Sequence, residues 1–323
     1  MKKILLTGCG GFIGSKVGEL LLEKGFIVLG VDEMNNYYDV RLKEWRLSHL
    51  MKYKNFTFTK MDIASPEIKD TIKSFSPDAI VNLAARAGVR ASITDPFVYF
   101  KSNLEGTLVL LETAKKLSIK KFILASTSSV YAGEEMPFNE KLPVNKPISP
   151  YAVSKKAAEN LCYTYHYLYD MDITIYRYFT VYGPAGRPDM SVFKFIKAID
   201  EGTPLKIFGD GSQQRDFTYV GDIAEGTVKG LDLTGYNIIN LGGNSPYSIN
   251  ELIALIEKEV GEKAVIEYFK SHKTDVPATW ANINEAVRLI GWKPLTTLPD
   301  GIKKTVAWHK ENRHWLQDIR LID

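Results

Sequence analysis

Cysteine is almost missing from this chain: Cys9 and Cys162 are its only two, far apart and in no metal-ligand spacing. At most one disulfide is open to it, and so sparse a usage points to a reducing, cytoplasmic compartment. Charge of one sign is lacking as well. The 41 Lys and Arg nearly cancel the 38 Asp and Glu, which argues against a broad electrostatic footprint for nucleic acid, though not against a local basic pocket. No stretch approaches the roughly 20 apolar residues of a membrane span. Lys2-Lys3, Ile4-Leu5-Leu6 and Cys9 imitate a lipoprotein signal, but the apolar run falls short of the roughly 7–15 residues needed and glycines break it. Repeats and low-complexity segments are also missing. What remains, 45% hydrophobic and 24% charged over 323 residues, is a globular composition sufficient for one large or two ordinary domains. The expected partners therefore include no nucleic acid, no membrane and no metal.

The run Lys3–Thr7 ends in Gly8-Cys9-Gly10-Gly11-Phe12-Ile13-Gly14, and Ile13, Val17, Leu20 and Leu21 then follow at the spacing of a one-faced helix. A second apolar run, Phe26–Val31, ends at Asp32. Glycines in a strand–turn–helix let backbone N–H groups approach a pyrophosphate seated on the helix N-terminus. Asp32 would accept hydrogen bonds from the adenosine ribose and repel a 2′-phosphate, favouring NAD over NADP. The first gap between Gly8 and Gly11 is one residue wider than the usual fingerprint.

Strands and helices continue to alternate: strands Phe56–Lys60, Ala79–Ala84, Lys121–Ser126 and Ile173–Phe179, and helices Pro66–Phe75, Val98–Lys116 and Tyr151–Tyr169. This pattern predicts an α/β fold with a doubly wound parallel sheet of Rossmann type. Ligands bind such sheets beyond the carboxyl ends of the strands. Gly8–Gly14, Asp32, Asp62, Ala84-Ala85 and Ser126–Ser129 all fall there. After Tyr182-Gly183-Pro184, Gly and Pro become frequent and the helices are expected to shorten. The expected division is a dinucleotide-binding domain over 1–180, rejoined by 216–243, and a smaller mixed α/β substrate domain over 181–323.

Tyr151 and Lys155 lie one turn apart on their predicted helix, with Pro150 suited to its first turn. An ammonium beside a phenol favours phenolate, lowering its pKa from about 10 and making it a base for a sugar or alcohol hydroxyl. In a chain with 17 tyrosines the pair alone is a weak signal. Its place after the glycine turn and the hydroxyl-rich strand end Ser126–Ser129 gives it weight.

These motifs, in this order, resemble the extended short-chain dehydrogenase/reductase family and within it the nucleotide-sugar epimerases. The likeness covers nearly the whole chain: the glycine turn, Asp62-Ile63, Leu83-Ala84-Ala85, Asn103 with Gly106-Thr107, Thr127…Tyr151…Lys155, Arg177–Pro184 and Arg215-Asp216-Phe217. It implies catalysis by Thr127, Tyr151 and Lys155. Cofactor contacts are implied for Gly8, Gly11, Phe12, Ile13, Gly14, Asp32, Asn35, Asp62, Ile63, Leu83, Ala84, Ala85, Asn103 and Tyr178, besides Tyr151 and Lys155. Arg215 matches an arginine that grips the UDP diphosphate, where a guanidinium fork suits phosphate oxygens. Three stretches, Asn35–Lys43, Ala87–Ser92 and Phe179–Met190, are most similar to UDP-glucuronate 4-epimerases. A substrate carboxylate would then be met by Thr127, Ser128, Ser129, Thr180, Arg90 and Arg187. Two departures stand out. Asn82 replaces the histidine that usually opens the Leu-Ala-Ala motif, and His272-Lys273-Thr274-Asp275 replaces the usual Arg or Gln near Gly-Asp, so a second diphosphate contact would fall to His272 or Lys273, with Asp275 among the substrate-binding residues.

The chemistry so implied is epimerisation at C4 of a UDP-sugar through a transient 4-keto sugar, with Tyr151 moving the hydroxyl proton and NAD held between turnovers. Related decarboxylases and dehydratases place acids after the catalytic Thr, where this chain has Ser128 and Ser129. The remaining readings are an epimerase of neutral UDP-sugars, a net reductase that releases its nucleotide, and a non-catalytic NAD-binding module. Relatives dimerise through the helices matching 98–116 and 151–169, and Tyr163, Tyr165, Tyr167 and Tyr169 supply aromatic surface for such a homodimer.

Overall fold

The computed structural model describes residues 2–270 and 276–321. Strands β1 (Lys3–Thr7), β2 (Ile27–Asp32), β3 (Phe56–Lys60), β4 (Ala79–Asn82), β5 (Lys121–Thr127) and β6 (Asp172–Tyr178) follow one another with helices between them. Then β7 (Thr180–Tyr182), β8 (Leu205–Phe208) and β9 (Gln214–Tyr219) leave the sheet, β10 (Tyr236–Leu241) returns to it, and β11 (Pro246–Ser248) and β12 (Ile266–Phe269) lie outside. The seven-stranded sheet runs β10-β6-β5-β4-β1-β2-β3, parallel throughout. Its order reverses at β1, which lies between β2 and β4, and that crevice is where doubly wound sheets bind ligands.

The central strands are apolar at nearly every position because helices cover both faces. Ile4 and Leu6 enter one buried cluster, with Val17, Leu21 and Val81; Leu5 enters the other, with Ile80, Leu110 and Phe122. A third cluster joins Ile196, Leu252, Ile302 and Val306 beside two small sheets, β11-β9-β7 and β12-β8.

Two differences from the sequence expectation have local causes. The stretch 98–116 is not one helix: Phe97–Tyr99 is α-helical, Phe100–Glu105 is a π-helix and Gly106–Lys116 resumes the α form. The wide turn carries Asn103 inward to bond the Arg86 backbone and the Ser154 hydroxyl, and Ile63 fills the space beside Gly106 where a Cβ would stand. Helices past residue 182 do not all shorten, since Leu298–Leu316 spans 19 residues. Thr297 caps it by accepting from the Asp300 N–H, and a proline sits in its first turn, signals that were present in the sequence.

Candidate active site

The chain leaves β1 at Gly8, whose φ of +71° is open to glycine at no steric cost, and the Gly11 N–H closes the turn on the Gly8 carbonyl at 2.9 Å. The helix Phe12–Glu23 then starts from Gly11 with no side chain capping it. Its first N–H groups and its positive dipole end are left for an anion. The closeness of the turn is why glycine stands there: a Cβ on Gly14 would come within 2.0 Å of the Gly8 oxygen, and one on Gly8 within 2.7 Å of the Ala84 nitrogen. The wider first gap therefore still yields a cradle for a dinucleotide diphosphate. Asp32, at the end of β2, accepts from Gly10 N at 3.1 Å and Met34 N at 2.8 Å, which holds the turn against the ribose position.

These groups open into one cavity of about 360 Å3 beyond the strand ends. Besides Gly8, Gly11, Phe12, Ile13, Gly14 and Asp32, its wall includes Asn35, Asp62, Ile63, Leu83, Ala84, Ala85, Thr127, Ser128, Ser129, Tyr151, Lys155, Tyr178, Thr180 and Arg187. Ser149 starts the helix Pro150–Tyr169 by accepting from Ala152 N, with Pro150 in the first turn, and so fixes Tyr151 at the cavity. Thr127 ends β5 and accepts from Ser129 N at 3.1 Å, and its hydroxyl favours the ionised form of the Tyr151 phenol.

The electrostatics differ from the expected pair. Burial pushes the Tyr151 phenol above its ordinary pKa, and the groups opposing this are the Thr127 hydroxyl and the Arg187 cation rather than Lys155. Lys155 is itself lowered to about 8, because burial penalises its ammonium more than Glu159 and Cys162 favour it. Glu159, one turn further on, is fully buried and paired with Arg177 through two hydrogen bonds of 2.9 and 2.7 Å. Burial raises this carboxyl, but the Arg177 fork and the Ser126 hydroxyl overcome that and hold it below the usual range. Arg177 in turn donates to Tyr131, which donates to Asn240, and Ser126 donates to Glu159, so the helix carrying Tyr151 and Lys155 is tied to β5, β6 and β10.

On the facing wall Thr180 begins β7, and Arg187 follows a loop containing Gly183 and Ala185. Arg187 grips Asp189 with Nε and Nη2 and reaches the Ala87 carbonyl at 3.2 Å. Sequence reasoning missed several cavity residues. Lys43 is buried, lies 3.7 Å from Asp32 and donates to Asn35. Arg86 stacks on the Tyr37 ring at 3.8 Å, and its buried Nε has no hydrogen-bond partner among the described residues. A cation just past the end of β4 was a readable signal for Arg86; Lys43 carried none, since its burial depends on how its helix docks.

Three expected site residues lie off the wall. Asn103 is fully buried and braces the Arg86 backbone from behind, so it positions the wall instead of forming it. Arg90 turns to the Phe208 ring, 4.2 Å away. Arg215, on β9, donates to the Gln214 carbonyl at 2.7 Å. Asp275, with His272 and Lys273, lies outside the described residues. Asn82, at the unusual histidine position, accepts from Thr7 and donates to Thr107, bracing β1 against the helix behind it.

Comparison with known proteins agrees with this geometry. The chain is 54% identical over 319 residues to a UDP-glucuronate 4-epimerase of Thermodesulfobacterium geofontis, covering 98% of this chain and 99% of that protein. Among solved structures it superposes with a TM-score of 0.91 on the UDP-glucuronic acid 4-epimerase of Bacillus cereus bound to UDP-glucuronic acid and NAD, at 38% identity, covering 96% of this chain and 99% of that one. The UDP-glucose 4-epimerase of Thermotoga maritima gives a TM-score of 0.87 at 30% identity, with 96% and 99% covered. With residues 4–242 matching its model, the chain belongs to the NAD dependent epimerase/dehydratase family.

Proposed function

We propose that this protein interconverts UDP-glucuronate and UDP-galacturonate by epimerisation at C4, using a tightly held NAD. The observation that carries the reading is one cavity holding the glycine cradle, the Thr127–Tyr151–Lys155 set and, facing them, Arg187 with Ser128, Ser129 and Thr180. The cradle fits the cofactor because it has room for no Cβ at Gly14, no side chain capping its helix, and Asp32 at the ribose end. NAD, when bound, accepts a hydride from the sugar and gives it back, so net redox is zero.

The chain's own residues do the rest. Tyr151 takes the 4-hydroxyl proton and returns it, with Thr127 orienting the phenol. Burial disfavours phenolate in the free protein, and the Thr127 hydroxyl and the Arg187 cation oppose this by favouring the phenolate that takes the proton. Lys155, its pKa lowered to about 8, still carries its proton at physiological pH but gives it up far more readily than an ordinary lysine. Arg187 and the Ser128, Ser129 and Thr180 hydroxyls hold the C6 carboxylate in the plane of the 4-ketone, which restrains loss of CO₂ from a β-keto acid. Arg215 and His272 or Lys273 remain the proposed diphosphate contacts.

The same reading makes the protein a cytoplasmic homodimer. Tyr163, Tyr167 and Leu168 are 52%, 72% and 56% exposed on the second of the segments expected at the dimer face, and Phe97, 84% exposed, directly precedes the first. Both cysteines are buried free thiols, consistent with a reducing compartment.

Incubating the protein with UDP-glucuronate, UDP-glucose and UDP-N-acetylglucosamine separately, without and then with added NAD, tests the function by proton NMR. UDP-galacturonate from the first alone is the expected result. Product only from the neutral sugars overturns the carboxylate assignment, and UDP-xylose shows that the serines and Arg187 do not protect the keto acid.

A further inference from the structure

Arg46 is 2% exposed on the helix Val40–Leu50 and is absent from the cavity wall. Its guanidinium donates five hydrogen bonds, all to neutral oxygens. Nε reaches the Ala185 carbonyl at 2.9 Å, Nη2 the carbonyls of Ala185 at 2.7 Å and Gly186 at 3.0 Å, and Nη1 the Gly10 carbonyl at 3.2 Å and the Tyr38 phenol at 2.7 Å. Among the described residues no carboxylate pairs with it, although a buried cation ordinarily needs an opposite charge to offset its desolvation.

The two ends it joins are the two halves of the site. Gly10 belongs to the turn that cradles the diphosphate, while Ala185 and Gly186 directly precede Arg187. Ala185 is held at φ +54°, a conformation an L-residue rarely keeps without support, and two nitrogens of the fork close on its carbonyl. Phe12, in the cavity wall, has its ring 5.9 Å from the guanidinium carbon. Only a planar fork with several fixed donors can satisfy carbonyls from two loops at once; an ammonium on a flexible stem cannot.

We propose that Arg46 is a positioning residue that locks Arg187 in register with the cofactor turn, its unneutralised charge at the same time favouring the diphosphate seated there. The substrate half of this inference rests on the function proposed above. The test uses full-length protein carrying Tyr151→Phe, so that no ligand turns over, and titrates NAD and then UDP-glucuronate by calorimetry. Arg46→Lys keeps the charge and loses the fork. It should hold NAD affinity within about twofold and weaken UDP-glucuronate about tenfold, whereas Arg46→Gln should weaken both ligands. In an Arg187→Gln background Arg46→Lys should cost little more, because the two residues act as one unit. An equal loss with and without Arg187 overturns the positioning role, and equal NAD loss for the Lys and Gln variants overturns the role of charge.

If Arg46→Gln does not fold, Tyr38→Phe, which removes one acceptor of the fork, takes its place in the positioning cycle, and the NAD affinity of Arg46→Lys alone decides the charge. If the parent binds NAD but not UDP-glucuronate, the functional reading fails. Hydrogen exchange over 183–190 in NAD-loaded protein then decides for Arg46: faster exchange in Arg46→Lys supports the inference, and unchanged exchange overturns it.

Discussion

Tyr151 shows how little a motif says about the state of its own proton. The spacing to Lys155 was readable, and so was the partnership with Thr127, but the phenol's pKa follows from burial and from Arg187, which lies 36 positions away. Tyr151→Phe should leave fold and NAD binding intact and lower kcat by about 10²–10⁴-fold, the usual worth of a positioned acid–base group; NAD content and NMR turnover measured together check this, and undiminished turnover removes Tyr151 from the chemistry. Lys155 makes a thermodynamic prediction. Its folded pKa of about 8 lies below the ordinary 10.5, so between those values the unfolded chain binds more protons and stability rises with pH. Below pH 8 the penalty is complete. Urea titrations at pH 7.5 and 10 should therefore show the wild type gaining on Lys155→Met by up to on the order of 3 kcal/mol as pH rises. A constant difference between the two proteins would mean that Lys155 is not titrating in that window.

Among the elements, the first strand–turn–helix was legible because its constraint is local. Gly14 has to be glycine since Gly8 lies six residues back on a closed turn, and Gly14→Ala is expected to abolish NAD retention, read from the absorbance of released nucleotide. The helix Pro150–Tyr169 was legible for a similar reason, with Pro150 suited to its first turn. Its deeper role was not. Glu159 reads as an ordinary helix acid but is the buried counter-ion of Arg177, brought together by the packing of that helix on β6. Glu159→Ala should destabilise the fold by about 3–5 kcal/mol because it strands a buried arginine, and Glu159→Ala with Arg177→Met should cost less than the two changes summed. Chemical denaturation measures both. The π-turn at Phe100–Glu105 was invisible to periodicity, because residues on either side keep helical spacing and only the inward pull on Asn103 and the fit of Ile63 against Gly106 widen it.

At the scale of the whole molecule, Tyr163, Tyr167 and Leu168 leave an exposed apolar face near the end of the helix Pro150–Tyr169, and the proposed homodimer would cover it. Light scattering at micromolar concentration should give a dimer mass, and Tyr167→Glu should shift it toward monomer by placing charge in that face; a monomeric wild type contradicts the assembly. By itself the sequence determined the class of fold, the glycine cradle, Asp32 and the Thr127–Tyr151–Lys155 set. Each of these is encoded by neighbours within a few residues or by strand ends that recur in order. Tertiary structure alone decided that Lys43 joins the cavity, that Asn103, Arg90 and Arg215 stand off its wall, and that Arg46 bridges its two halves. The contacts by which Arg46 bridges them join residues 36 to 140 positions apart, and no local pattern records which surfaces of helices and loops will meet once the core has closed.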